Sequence, residues 1–215
     1  MKILLVDDHA VVRQGYASLL SVSLPEVEIA QACSGEDALQ CMPTVNPHLV
    51  IMDIGLPGIS GLETCRRLRQ RLPQLSVLFF SMHDELSLVR QALDAGAAGY
   101  ISKSAAPEVL IEAVRRTLTG HMYIEQAIAT QLACHKYLPG AIDPRLQSMT
   151  PREMEVFVML ARGFATQQIA QNLSISSKTV SNYMTLLKQK LQVSSQVELV
   201  HLAIDTGVLR IGEAS

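Results

Sequence analysis

The chain has 215 residues, 48% hydrophobic and 18% charged, with a formal net charge of −2. That balance excludes a disordered polyelectrolyte, and the length accommodates two modest domains, each with its own core. The four cysteines, Cys33, Cys41, Cys65 and Cys134, stand far apart without CxxC spacing, which argues against a zinc site or a disulfide framework.

The chain opens with Lys2 and an apolar run at 3–6, followed at once by acids. The run is too short for a signal-peptide core or a membrane span, so a cytoplasmic protein with no membrane partner is expected. From 1 to 120, short apolar runs alternate with amphipathic stretches, which predicts a doubly wound α/β domain. Strands are expected at 3–6, 29–33, 49–52, 77–80 and 100–101, forming a five-stranded parallel sheet. Helices are expected near 11–22, 35–42, 61–71, 86–95 and 107–119, the last closed by Gly120. Residues 121–147, with Pro139, Gly140 and Pro144, read as a linker that is partly helical around 125–134. Thr150-Pro151-Arg152-Glu153 is a capping box with proline at the first helical position, and an all-α four-helix domain is expected over 148–215.

In open parallel sheets, functional groups gather where strands deliver their C-terminal ends. Asp7 and Asp8 follow the first predicted strand, Asp53 the third and Lys103 the fifth, while Ser81 follows the fourth. Three carboxylates brought together repel one another, and a hard divalent cation with oxygen ligands, Mg2+ first among them, relieves that repulsion. The set suits phosphoryl transfer, with Asp53 as nucleophile, Asp8 and Asp53 on the metal, and Lys103 and Ser81 on the remaining oxygens. Singly, each residue has a plainer role: Asp7, Asp8 or Ser81 as a helix cap, Lys103 as a solvated charge. Their joint placement after four strands favours the chemistry.

In the C-terminal domain, 167–173 leads through Ser174-Ile175-Ser176 to a helix starting at Ser177, the spacing of a helix-turn-helix. Val180, Met184, Leu187 and Leu191 form an apolar face, opposite Lys178, Ser181, Asn182, Thr185, Lys188 and Gln189. Such a face fits a DNA major groove, with Asn, Ser and Thr at base edges and Lys on phosphates; the alternative is a plain solvated face. A last helix over about 195–206 carries Val197, Val200 and Ile204 in one stripe, whose plainer role is core.

Leu5-Val6-Asp7-Asp8-His9, Met52-Asp53-Ile54-Gly55-Leu56-Pro57-Gly58-Ile59-Ser60-Gly61, Ser81-Met82-His83 and Tyr100-Ile101-Ser102-Lys103 resemble the signature blocks of receiver domains, which are flavodoxin-like. Met149-Thr150-Pro151-Arg152-Glu153-Met154-Glu155-Val156, Ile169-Ala170 and Ser174-Ile175-Ser176-Ser177-Lys178-Thr179-Val180-Ser181-Asn182-Tyr183 resemble the LuxR-type domain of NarL/FixJ-class two-component response regulators. The resemblance implies that Asp53 accepts a phosphoryl group from a sensor histidine kinase, and that Asp7, Asp8 and the Gly55 carbonyl help hold Mg2+. It implies a switch pair in Ser81 and Tyr100, the ring moving from exposed to buried, where the plainer role is a strand aromatic half in the core. It directs Lys178, Thr179, Ser181, Asn182 and Thr185 to bases or nearby phosphates of double-stranded promoter DNA, and Lys188 and Lys190 to the DNA backbone. The resemblance implies a homodimer on phosphorylation or on DNA, with the Val197, Val200 and Ile204 stripe as the dimer contact rather than core, and no enzymatic activity beyond the chain's own phosphoryl transfer and dephosphorylation. A metal-dependent phosphohydrolase with a helical partner-binding module is the alternative the acid cluster permits. Ser104 stands where the family commonly has Pro, and Ser81 where Thr is more frequent. Gly55 and His83 occupy places that in the family tune the access of water, and His9 reads as a helix-start residue.

Overall fold

Parallel strands covered on both faces need unbroken apolar runs, and the N-terminal half supplies them. The computed structural model describes residues 1–137, 143–147, 149–173, 175–206 and 208–209. Pro139, Gly140 and Ser174, assigned above to the linker and the turn, lie outside the described residues. The chain divides into two compact units, Met1–Asp84 with Val89–Gln131, and Glu85–Leu88 with the residues from Leu132 onward.

In the first unit β1 (Lys2–Val6), β2 (Glu28–Ala32), β3 (Leu49–Met52), β4 (Ser76–Ser81) and β5 (Gly99–Ser102) pair in parallel. The sheet has a sixth strand, β6 (Tyr123–Ile124), giving the order β2-β1-β3-β4-β5-β6. The expected five-stranded sheet is therefore corrected to six. β6 pairs with only two residues of β5, too short a run to show periodicity. Its approach depends on Gly99, where a Cβ would lie 2.2 Å from the Tyr123 carbonyl oxygen.

Helices α1 (Ala10–Ser23), α2 (Gly35–Val45), α3 (Gly61–Arg71), α4 (Leu86–Asp94) and α5 (Pro107–Leu118) connect the strands. Ser34 and Ser60 cap α2 and α3 by accepting from the amides of Asp37 and Glu63, and Pro107 opens α5 where no amide is needed. One face of the sheet packs Ile3, Leu5, Ile51, Leu78 and Phe80 against Leu20 of α1 and Leu110 and Val114 of α5. α6 (Gln126–Tyr137) follows β6.

The C-terminal helices are α7 (Pro144–Gln147), α8 (Pro151–Ala161), α9 (Thr166–Asn172), α10 (Ser177–Leu191) and α11 (Gln196–Asp205). The capping box forms as expected: Thr150 accepts from the Glu153 amide at 3.3 Å, and the Glu153 carboxylate accepts from the Thr150 amide at 2.6 Å. Gly163, at φ +85°, ends α8 in the left-handed region that glycine enters without strain. Met154, Phe157, Leu160, Ile169, Val180, Leu187, Leu191 and Leu199 are buried. Among the described residues no helix is long and apolar enough to cross a membrane.

Candidate functional site

Register brings the acids together. Val6 of β1 pairs with Met52 of β3, so the next residues, Asp7 and Asp53, leave the sheet side by side. The Asp53 amide donates to the Val6 carbonyl at 3.0 Å, continuing the ladder past the strands. Ser81 pairs with Ser102, and the Lys103 amide donates to the Ser81 carbonyl at 2.8 Å, which fixes the root of the Lys103 side chain. β1 lies between β2 and β3, so this edge is also where the winding of the sheet reverses and a crevice opens.

Lys103 Nζ lies 2.6 Å from Asp7 Oδ2 and 2.5 Å from Asp53 Oδ2, and all three side chains are almost fully buried. Burial works to lower the lysine's pKa, but Asp53 and Asp7 outweigh it and hold the ammonium above its ordinary value. Asp7 is further occupied, since its Oδ1 accepts from the His9 amide at 2.8 Å and its carbonyl accepts from Arg13. Asp8 differs: its Oδ1 is buried, makes no aligned hydrogen bond, and has the exposed His9 Nδ1 at 2.8 Å. Burial, and then the like charges of Asp53 and Asp7, raise the Asp8 pKa, while His9 opposes them. His9 is the N-terminal flanking residue of α1 but forms no side-chain cap.

One ligand atom from each of Asp7, Asp8, His9 and Asp53 can be chosen so that all lie within 4.8 Å of one another. Donors so spaced fit around one hard cation, whose bonds to oxygen run about 2.0–2.6 Å. A cation there would neutralise the Asp8 carboxylate that the protein alone leaves poorly compensated. Gly55 stands two residues past Asp53, its amide 3.4 Å from Asp53 Oδ1, and space at its Cβ position is open. Gly61 is not free in this way. A Cβ there would lie 1.8 Å from the Asp53 carbonyl oxygen, so only glycine lets α3 close against the loop carrying Asp53.

Ser81 is fully buried at the end of β4, and its Oγ accepts weakly from the His83 amide at 3.4 Å. The Tyr100 ring is fully buried rather than half in the core, stacked on Phe79 with centroids 6.1 Å apart. Its hydroxyl donates to the His83 carbonyl.

On α10, Val180, Leu187 and Leu191 are buried and Met184 half-buried, while Lys178, Ser181, Asn182, Thr185 and Gln189 are exposed. Thr179 is half-buried and serves the helix start, its amide and hydroxyl both bonded to Ser176 Oγ. Lys188 is half-buried. Lys190, expected on the DNA backbone, has its Nζ 2.7 Å from Glu153 Oε2. Along α11, Leu199, Leu202 and Ala203 supply the core, while Val197 is 65% exposed and Val200 and Ile204 are half-buried. The stripe 197, 200, 204 is therefore not the core face of that helix.

Three long-range contacts were not signalled by any pattern in the sequence. Arg152 donates to the Leu173 carbonyl at the end of α9 and pairs with the fully buried Glu155 at 2.8 Å. Arg145 of α7 donates to the Leu191 carbonyl at the end of α10 at 2.8 Å. Glu125 accepts from the Ser102 amide beside Lys103 at 2.8 Å.

Residues 3–115 match the response regulator receiver domain family, and residues 147–203 match the bacterial regulatory proteins of the luxR family. The chain is 64% identical to the transcriptional activator protein ExaE of Pseudomonas putida, covering 98% of this chain and 99% of that one. It is 41% identical to the transcriptional regulatory protein UhpA of Salmonella typhimurium, covering 94% and 96%. Among solved structures, a LuxR-family two-component response regulator from Aurantimonas sp. SI85-9A1 matches with a TM-score of 0.62 at 33% identity, covering 64% of this chain and 98% of that one.

Proposed function

Because the chain belongs to the two-component response regulators that join a receiver domain to a LuxR-type DNA-binding domain, we propose that Asp53 is its phosphoacceptor and that occupancy of Asp53 controls DNA binding by α10. The carrying observation is the single ammonium of Lys103 shared between Asp7 and Asp53 in a buried crevice. Asp7, Asp8, Asp53 and the Gly55 carbonyl are the proposed Mg2+ ligands. The ion, when bound, supplies charge neutralisation at the phosphoryl oxygens.

An Asp53 carboxylate oxygen attacks the phosphorus of a phosphohistidine on a sensor kinase. The new O–P bond forms as the N–P bond breaks, leaving an acyl phosphate on Asp53 and a free imidazole on the kinase. The Lys103 ammonium passes from the carboxylate to a phosphoryl oxygen, and the Ser81 hydroxyl turns to donate to another. Tyr100, on β5 three residues before Lys103, keeps its ring buried against Phe79 through this movement. The chain turns over no external substrate. Lys178, Ser181, Asn182, Thr185 and Lys188 meet the major groove of promoter DNA, and the Val197, Val200 and Ile204 stripe pairs two copies on half-sites about one helical turn apart. The protein works in the cytoplasm, and ExaE, named a transcriptional activator, supports activation as the sign of its control.

Acetyl phosphate with Mg2+ should add one phosphoryl group by intact mass and tighten binding to DNA upstream of the chain's own gene. Asp53→Asn should do neither. Equal binding in every condition would sink the gating claim, and repeated turnover of small phosphoesters would favour a phosphohydrolase.

A further inference from the structure

β5 carries Tyr100 and delivers Lys103, and its two edges are held differently. On the β4 side the ladder runs its full length, from Leu78 opposite Gly99 to Ser81 opposite Ser102. On the β6 side pairing stops at Tyr100 opposite Ile124. The Glu125 amide then donates to the Tyr100 carbonyl at 3.0 Å. A continuing parallel ladder would next offer the Ser102 amide a backbone carbonyl. It meets instead the Glu125 carboxylate, whose Oε2 accepts at 2.8 Å. One residue thus grips β5 twice, on the Tyr100 carbonyl and on the amide just before Lys103. The same residue starts α6, since its carbonyl accepts from the Ala129 amide at 2.8 Å.

We propose that Glu125 is a positioning residue that couples the Lys103 end of β5 to α6, so that phosphorylation of Asp53 is passed into the segment leading out of the receiver. The proposal rests on Asp53 being the phosphoacceptor. When Lys103 exchanges a carboxylate oxygen for a phosphoryl oxygen, the end of β5 must adjust. A backbone rung would resist that adjustment with the whole sheet, whereas a charged side-chain acceptor follows it or lets go while the rest of the ladder stays intact.

The test uses the full chain with acetyl phosphate and Mg2+, following phosphoryl uptake by intact mass and hydrogen exchange of peptides covering 126–137. In the wild type, uptake should change exchange in α6. Glu125→Ala should still take up the phosphoryl group while that change is lost, and Glu125→Gln, which keeps an uncharged acceptor, should show a smaller change than wild type. A merely structural Glu125 would raise exchange equally with and without the phosphoryl group and leave the response intact, which overturns the proposal. If Glu125→Ala does not fold, Glu125→Gln decides, and a full wild-type response there overturns it. No uptake in the wild type defeats the phosphoacceptor reading and the coupling with it; uptake with an undiminished response in the variants defeats the coupling alone.

Discussion

Asp8 bears the electrostatic cost of the acidic crevice. Its carboxyl is raised above the ordinary 3.8 by burial first and then by Asp53 and Asp7. Below 3.8 it is protonated in folded and unfolded chains alike and contributes nothing. As pH rises through 3.8 to the raised value the unfolded chain ionises first, so stability is lost there and stays lost at neutral pH. Asp8→Asn should therefore raise the urea midpoint at neutral pH in EDTA and leave it unchanged at about pH 3, below the ordinary carboxyl range. With saturating Mg2+ the order should reverse, because ligand bound only to the folded state stabilises the wild type more. The crevice acids were legible in sequence because they stand within two residues of the end of an apolar run. That Asp7 is engaged by Lys103, His9 and Arg13 while Asp8 is poorly compensated was not, since adjacent residues differ only in which way the chain turns them.

At the scale of the element, α10 turns lysines that are close in sequence to different surroundings. Twelve residues at 3.6 per turn rotate Lys190 by about 120° from Lys178, off the exposed face and towards α8. There it meets Glu153, whose carboxyl burial would raise but which Lys190 and the Thr150 amide together hold below its ordinary value. Lys178→Ala should weaken DNA binding across sequences and reduce the slope of log affinity against log salt by about 1. Lys190→Ala should leave that slope unchanged and instead cost about 1–3 kcal/mol in unfolding free energy, the loss of a charged partner to a buried group. Equal slopes for the two variants would return Lys190 to the DNA face. The capping box at Thr150 and Glu153 was readable from four consecutive residues, but the second use of the same carboxylate needed α10 folded beside it.

For the whole molecule, the sixth strand bears on where the first unit ends. β6 adds hydrogen bonds to β5, and Tyr123 packs on the sheet core. A fragment ending at 131 should melt at a higher temperature by circular dichroism than one ending at 120, since each ladder bond contributes about 0.5–1.5 kcal/mol. Equal melting temperatures would make β6 dispensable to that unit. By itself the sequence determined the alternation of strands and helices, the helix-turn-helix spacing and the acids at the strand ends, because burial on both faces of a sheet or one face of a helix imposes a period that a single chain displays. Only the tertiary structure decided the partners of Glu125, Lys190 and Arg145, which lie 23, 37 and 46 residues away. A lone charged side chain has no period, and its role is set by which backbone or carboxylate the packed elements bring within about 3 Å.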